Sequence, residues 1–244
     1  MSLLDSARRQ QLIRFAQTLV NQSQARIIVP ANQPRSGFWF GGGNMVEAGD
    51  GTLLLVGRYR NAGDSRTGVA AGERGLELAV FASADRGQSF EKVLSFAKAD
   101  LDVADRKVLS IEGSALRVAP DGVELYVSTE KDHIGYPAGF EDHLKPGTGV
   151  WTIERLAAKS IDGLEAAPCE TVLETDDPAF VHLKDPFLYR RADGTLMLLF
   201  CSHPYCWTSS NTGYVTAGDD GQTFGEPVMD FFPRGCNWAV AITR

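Results

Sequence analysis

The chain has 244 residues, 43% of them hydrophobic, and a formal net charge of −7. That length can bury a large core, the acidic balance argues against nucleic acid as a partner, and no apolar run is long enough to span a membrane. The N-terminus lacks the charged-then-apolar pattern of a secretion signal. The cysteines Cys169, Cys201, Cys206 and Cys236 are scattered without a C-x-x-C pair, which points away from a zinc site and to reduced thiols in a cytoplasmic protein, with one disulfide as the open alternative.

In chain order, residues 1–24 contain LLDSARRQQLIRFAQTLV. This sets Leu4, Leu12, Phe15, Ala16 and Leu19 on one face and predicts an N-terminal helix packed on the remainder, residues 25–244. The linker up to Gly43 is rich in Pro, Gly, Asn and Gln and reads as a site loop or the lead into a first repeat. Then one pattern appears three times at a spacing of roughly 70 residues: EAGDGTLLLVGRYR from Glu47, RVAPDGVELYVSTEK from Arg117 and RRADGTLMLLFCSHP from Arg190. Each copy is an apolar strand, an Asp-Gly turn and a second apolar strand, the strongest short-range hairpin signal there is. After the first and third copies, GLELAVFASADRGQSFEKV and NTGYVTAGDDGQTFGEPV supply two further strands around another Asp/Gly turn. The equivalent stretch of the middle copy is more degenerate.

A four-stranded antiparallel meander repeated in this way is the blade of a β-propeller, so the expected class is all-β with an N-terminal helix. The final FFPRGCNWAVAITR reads as the first strand of a fourth blade. About three blades and one strand cannot close a propeller, which predicts five or six blades in a complete protein.

The meander also sorts residues between the two ends of the blades. Asp50-Gly51, Asp121-Gly122 and Asp193-Gly194 share one end. The opposite mouth collects Asn44, Glu112, Lys184 with Asp185, and Asn237 from the starts of first strands. From the ends of second strands it collects Arg58, Arg60, Asp64, Glu130, Lys131, Asp132, His133, Ser202, His203 and Tyr205. First strands lie nearest the axis, which aims Glu112 and Asp185 at a central pocket. Trp39, Phe38 and Trp207 near the mouth suit stacking on sugar rings.

Two family resemblances follow from these residues. The turn Ser83–Phe90 has the form S-x-D-x-G-x-x-F, and Ala217–Phe224 repeats it with Ala for the Ser. This resembles the Asp-box of sialidases, whose first blade GRYRNAGDSRTGVAAGERGLELAVFASADRGQSF is also similar to. The likeness implies that Arg58 or Arg60 clamps a substrate carboxylate and that Asp64 is an acid/base. It departs from that family in lacking the first-strand arginine, where this chain has GFWFGGGNMVEA. The segment VHLKDPFLYRRADG resembles the third blade of five-bladed arabinanase, xylosidase and invertase-type glycosidases, implying that Asp185 is a site carboxylate with Glu112 as its counterpart in blade two. Here Asn44 and Asn237 stand where carboxylates are expected, so either those strands align a residue or two differently or the set is rearranged.

Both resemblances imply a glycoside hydrolase working with paired carboxylates, one to protonate the leaving oxygen and one to attack or activate water. Asp185, Glu112 and Asp64 are the candidate catalytic residues. Arg58, Arg60, Asn44, His133, Lys184, His203, Tyr205 and Trp39 are candidates for binding carbohydrate. No cofactor is expected, although a carboxylate-lined funnel has room for a central cation. Two alternatives stay open: a polysaccharide lyase using a pair such as His203 and Tyr205 on a uronate, and a non-catalytic propeller that binds sugar or protein.

Overall fold

The computed structural model describes residues 5–61, 74–218, 221 and 223–232. Residues Met1–Pro30 and Ala31–Arg244 form two compact units. In the first, helix α1 (Ser6–Leu19) begins at Asp5, whose carboxylate accepts the Arg8 N–H at 2.8 Å. This N-cap satisfies one of the donors a helix start leaves open. No described helix is long and apolar enough to cross a membrane.

The second unit is a run of β-propeller blades. Blade one has an inner strand in two pieces, β1 (Trp39–Gly41) and β2 (Met45–Glu47), followed by β3 (Leu53–Arg60), β4 (Glu77–Ser83) and β5 (Glu91–Ala97). Blade two is the meander β6 (Val108–Ala119), β7 (Gly122–Lys131), β8 (Val150–Ala158) and β9 (Glu170–Leu173). Blade three has β10 (His182–Arg190), β11 (Leu196–His203) and β12 (Asn211–Thr216), with Val228 bridged to Tyr214 along its outer side. All pairings are antiparallel and sequential, as the hairpin repeats require.

Turn chemistry explains why the meanders close where they do. Asp50 accepts the Thr52 N–H and Asp193 accepts the Thr195 N–H, both at 3.0 Å, while Gly51 and Gly194 take φ of 85° and 89°. An Asx side chain that satisfies the turn and a glycine that tolerates positive φ make these two hairpins near copies. Blade two turns more tightly, with Ala119 opposite Gly122. In the β4–β5 turn Asp85 takes hydrogen bonds from the Ser83 hydroxyl (2.7 Å), the Ser89 N–H (2.9 Å) and the Ser89 hydroxyl (2.6 Å).

The strands alternate, so each blade buries both faces against neighbours. Leu54, Val56, Leu78 and Val80 of blade one pack with Leu116, Leu125, Val127 and Leu156 of blade two. The other face of blade two puts Tyr126 and Ile153 against Leu183, Leu198, Phe200 and Val215 of blade three. Each of these side chains contributes about 1.5–3 kcal/mol on burial, so the two inter-blade layers dominate the stability of this unit.

The inner strands are not regular. Gly41, Ile111 and Lys184 pair with Arg58, Thr129 and Cys201, each of which lies seven residues past its turn glycine, Gly51, Gly122 or Gly194. Immediately after those pairs every inner strand carries one residue more than its partner, a β-bulge. The first bulge residues are Gly42, Glu112 and Asp185. Gly42 and Asp185 adopt φ of 76° and 54°.

A bulge frees backbone groups from its own ladder, and here the neighbouring blade takes them up. The Ser114 N–H donates to the Gly42 carbonyl at 2.9 Å. The Asp185 N–H donates to the Ser128 hydroxyl at 3.2 Å, and that hydroxyl donates to the Gly113 carbonyl at 3.2 Å. Just beside Glu112, the Ile111 N–H donates to the Gly75 carbonyl at 3.0 Å. A Cβ on Gly75 would stand 2.3 Å from the Ile111 backbone nitrogen, so only glycine allows that approach.

Candidate functional site

Glu112 is the centre of the charged cluster at the inner ends of blades one to three. Its Oε2 accepts the Arg58 guanidinium at 2.7 Å and faces the Lys184 ammonium at 3.6 Å. Burial alone would raise its carboxyl, but Lys184 and Arg58, with Arg60 adding to them, outweigh that and hold it near 2. Glu112 is therefore ionised at any working pH. The two cations are in turn set on aromatic faces: Arg58 lies 4.8 Å from the Trp39 ring centre and Lys184 4.3 Å from that of Trp151. Arg58, Arg60, Arg74, Gly75, Ser110 and Glu112 line a narrow cleft between blades one and two.

A second carboxylate lies close by. Glu130, at the end of β7, accepts Arg74 at 2.7 Å and the Gly149 N–H at 3.1 Å. Burial pushes its carboxyl upward, with Arg74, the Gly149 N–H and Lys184 opposing. The neighbouring side chain turns the other way, as strand alternation demands. Lys131 is wholly buried between the blades, donating to the Leu101 carbonyl at 2.5 Å with Glu154 at 3.9 Å, and is no part of the mouth.

The wall beyond Lys184 is aromatic. His182 and His203 are cross-strand partners, and the Trp207 ring stacks on both, at 4.1 Å and 4.9 Å between centroids. His182 Nδ1 accepts the Trp151 N–H at 3.4 Å, which assigns the proton to Nε2 and makes that nitrogen the donor to the Tyr136 hydroxyl at 2.7 Å. Burial, followed by the charge of His203 and of Lys184, pushes His182 down to about 2. Burial and Lys184 push His203 down to about 3. Both rings are neutral.

The structure brings Glu112, Arg58, Arg60, Lys184 and Trp39 together as the sequence suggests, and sets Asp185 on the equivalent bulge of blade three. Other expected residues serve elsewhere. Asn44 follows two residues behind Gly42, and its amide closes on the Leu116 backbone, donating to the carbonyl at 2.9 Å and accepting the N–H at 2.7 Å. Both of its polar ends are thus used to clamp blade one to blade two, and Gly42 is the true counterpart of Glu112. His133 is largely exposed, with its ring against the Asp105 carbonyl and Asp132. Tyr205 packs against Phe140 and His143 at 4.4 Å and 4.6 Å, apart from His203, whose Nδ1 faces the Ser209 carbonyl. The close His–Tyr pair is instead His182 with Tyr136, and both are buried. Asp64 and Asn237 lie outside the described residues.

Sequence reasoning passed over Arg74, Trp151, His182 and Tyr136. His182 and Lys184 sit two apart in VHLKDP, on one face of a strand, which was a readable signal. Trp151 and Tyr136 belong to the degenerate middle repeat, where no motif marked them.

No protein-family model matches this chain, and no curated protein sequence matches it. Solved structures do share its fold. A β-xylosidase superposes with a TM-score of 0.52 and 14% identity, covering 85% of this chain and 62% of its own. A thermostable family-43 glycoside hydrolase gives 0.51 at 12% identity, covering 84% of this chain and 57% of its own. A family-43 β-xylosidase/α-arabinofuranosidase from a compost microbial metagenome, solved with xylotriose, gives 0.51 at 11%, covering 84% and 63%. The chain thus spans less than two thirds of the length of these structures, and what it shares with them is the propeller fold.

Proposed function

We propose that the protein is a glycoside hydrolase acting on an oligosaccharide or glycoside bound at the inner ends of its blades. The observation that carries this reading is the pair of equivalent bulges that bear Glu112 and Asp185, in a fold shared with family-43 hydrolases. A bulge on an inner strand re-aims one side chain and is a common device beside active sites. A non-glycine residue at positive φ, as at Asp185, is kept where the surroundings enforce it.

Glycoside hydrolysis divides its work between a proton donor and an ionised partner. Glu112, fixed in its charged form by Lys184 and Arg58, suits the second role: it opposes positive charge developing on the sugar and holds the two cations in place. Asp185 is the second carboxylate facing the sugar, and Asp64 is the proposed proton donor on sequence grounds. Trp39 and Trp207 offer aromatic faces to sugar rings.

The test is a screen of aryl glycosides and oligosaccharides against the wild type and the Asp185→Asn and Glu112→Gln variants. The expected result is turnover of one class, reduced at least roughly 100-fold in Asp185→Asn with folding intact. Absence of turnover across the panel, or full activity in Asp185→Asn, refutes the assignment.

A further inference from the structure

Two of the three inner-strand bulges bear a carboxylate, and one side chain joins them. In blade two Ile111 pairs with Thr129 and Ser114 with Val127, so Glu112 and Gly113 together face the single residue Ser128. Ser128 is wholly buried. Its hydroxyl donates to the Gly113 carbonyl at 3.2 Å, within its own blade, and accepts the Asp185 N–H of blade three at 3.2 Å. A hydroxyl has one proton to give and lone pairs to receive, so it serves both bulges at once. The backbone beside Glu112 and the backbone of Asp185 are thereby pinned to one oxygen.

The equivalent positions do not repeat this device. Gly57 faces the bulge of blade one and Phe200 that of blade three, and neither has a hydroxyl. Between blades one and two, where Gly42 stands in place of a carboxylate, the link runs from backbone to backbone, Ser114 N–H to Gly42 carbonyl. Of the three residues that face a bulge, the one with a hydroxyl thus lies where two carboxylate-bearing bulges meet. Asp185 also needs holding, since its φ of 54° is costly for a residue other than glycine.

Glycoside hydrolysis depends on the separation of two carboxyl groups, and a misplacement of about 1 Å can cost roughly 100-fold in rate. We propose that Ser128 is a positioning residue: its one hydroxyl sets the backbone of Asp185 against that of Glu112 and so fixes the spacing of the pair. This rests on the glycoside hydrolase reading and deepens it. Being wholly buried, Ser128 acts through the two bulges and not on the sugar.

The experiment compares the wild type with Ser128→Ala, with Ser128→Thr, which keeps the hydroxyl, and with Thr129→Val. Thr129 is the control: it follows on β7, its equally buried hydroxyl donates to Glu154 at 2.7 Å, and that bond touches neither bulge. Turnover is read on aryl glycosides and oligosaccharides, and exchange of the Asp185 backbone amide is read by NMR. Ser128→Ala is expected to lower kcat at least roughly tenfold with KM unchanged. The Asp185 amide should exchange at least roughly tenfold faster while that of Leu198 keeps its rate. Ser128→Thr retains wild-type values of both, and Thr129→Val loses stability alone. Undiminished kcat in Ser128→Ala, an equal loss of kcat in Thr129→Val, or unchanged exchange at Asp185 overturns the proposal. These arms decide it even where Ser128→Thr does not fold. A wild type silent across the panel removes the hydrolase reading, and the exchange rates then decide whether this hydroxyl holds Asp185. Turnover with exchange at Asp185 indifferent to Ser128 does the reverse.

Discussion

Glu112→Gln tests whether the site's central ion pair carries stability as well as charge. Holding this carboxyl near 2 in place of its ordinary 4.5 is worth about 3 kcal/mol at neutral pH. The group is only 16% exposed, so solvent screening takes little from that figure. Glutamine keeps the shape but strands Arg58, itself 6% exposed, beside a neutral partner. The expected loss of about 3 kcal/mol corresponds to a fall in Tm of about 6–12 °C for a chain of this size. Because the folded-state carboxyl is depressed, its contribution is complete above 4.5 and is lost as pH falls through about 2. The gap between wild type and variant should narrow to about 1 kcal/mol near pH 3. Urea unfolding followed at pH 7, 5, 4 and 3 reads both quantities. A variant as stable as wild type at pH 7, or a gap that does not change with pH, would refute the electrostatic account.

Three further outcomes are expected. Asp185→Gly relieves the positive φ at the bulge and should stabilise the fold by about 1 kcal/mol while abolishing turnover; a destabilised but active variant would contradict both halves. Asn44→Ala removes two hydrogen bonds to Leu116 and should cost about 2–3 kcal/mol with KM unchanged, whereas a raised KM at undiminished stability would return Asn44 to the substrate. His203 is held neutral down to about 3, so its contribution is complete above 6.5 and declines as pH falls from there toward 3. His203→Phe should therefore resist acid unfolding better than wild type between those values, and an unchanged acid midpoint would show that the ring is not held neutral.

Repetition is what made the fold legible. Three Asp-Gly hairpins announced blades because the turn chemistry is local, and Asp50 and Asp193 use it identically. The antiparallel meander then put Glu112, Arg58 and Lys184 at one mouth without any coordinates. The bulges were not legible, since an extra residue in an inner strand leaves no mark in a hydrophobic pattern. That is why Asn44, two residues past Gly42, looked like the counterpart of Glu112. His203 and Tyr205 misled for a related reason. They lie two apart in sequence, but the chain leaves β11 at His203, and Tyr205 turns away to Phe140 and His143. Lys131 shows the limit of sorting by strand ends alone: the meander places it at the mouth, whereas its side chain turns between the blades to the carbonyl of Leu101.

The inner-strand bulges bind two requirements into one. The same kink that carries Asp185 or Glu112 hands a backbone N–H to the adjoining blade, through Ser128 in one case and Gly42 in the other. A blade that folds but fails to dock would lose the bonds that hold its kink and, with them, the aim of its carboxylate. Site geometry in such a molecule is a gauge of assembly: it reports whether neighbouring blades have joined, and says little about whether any one of them has formed.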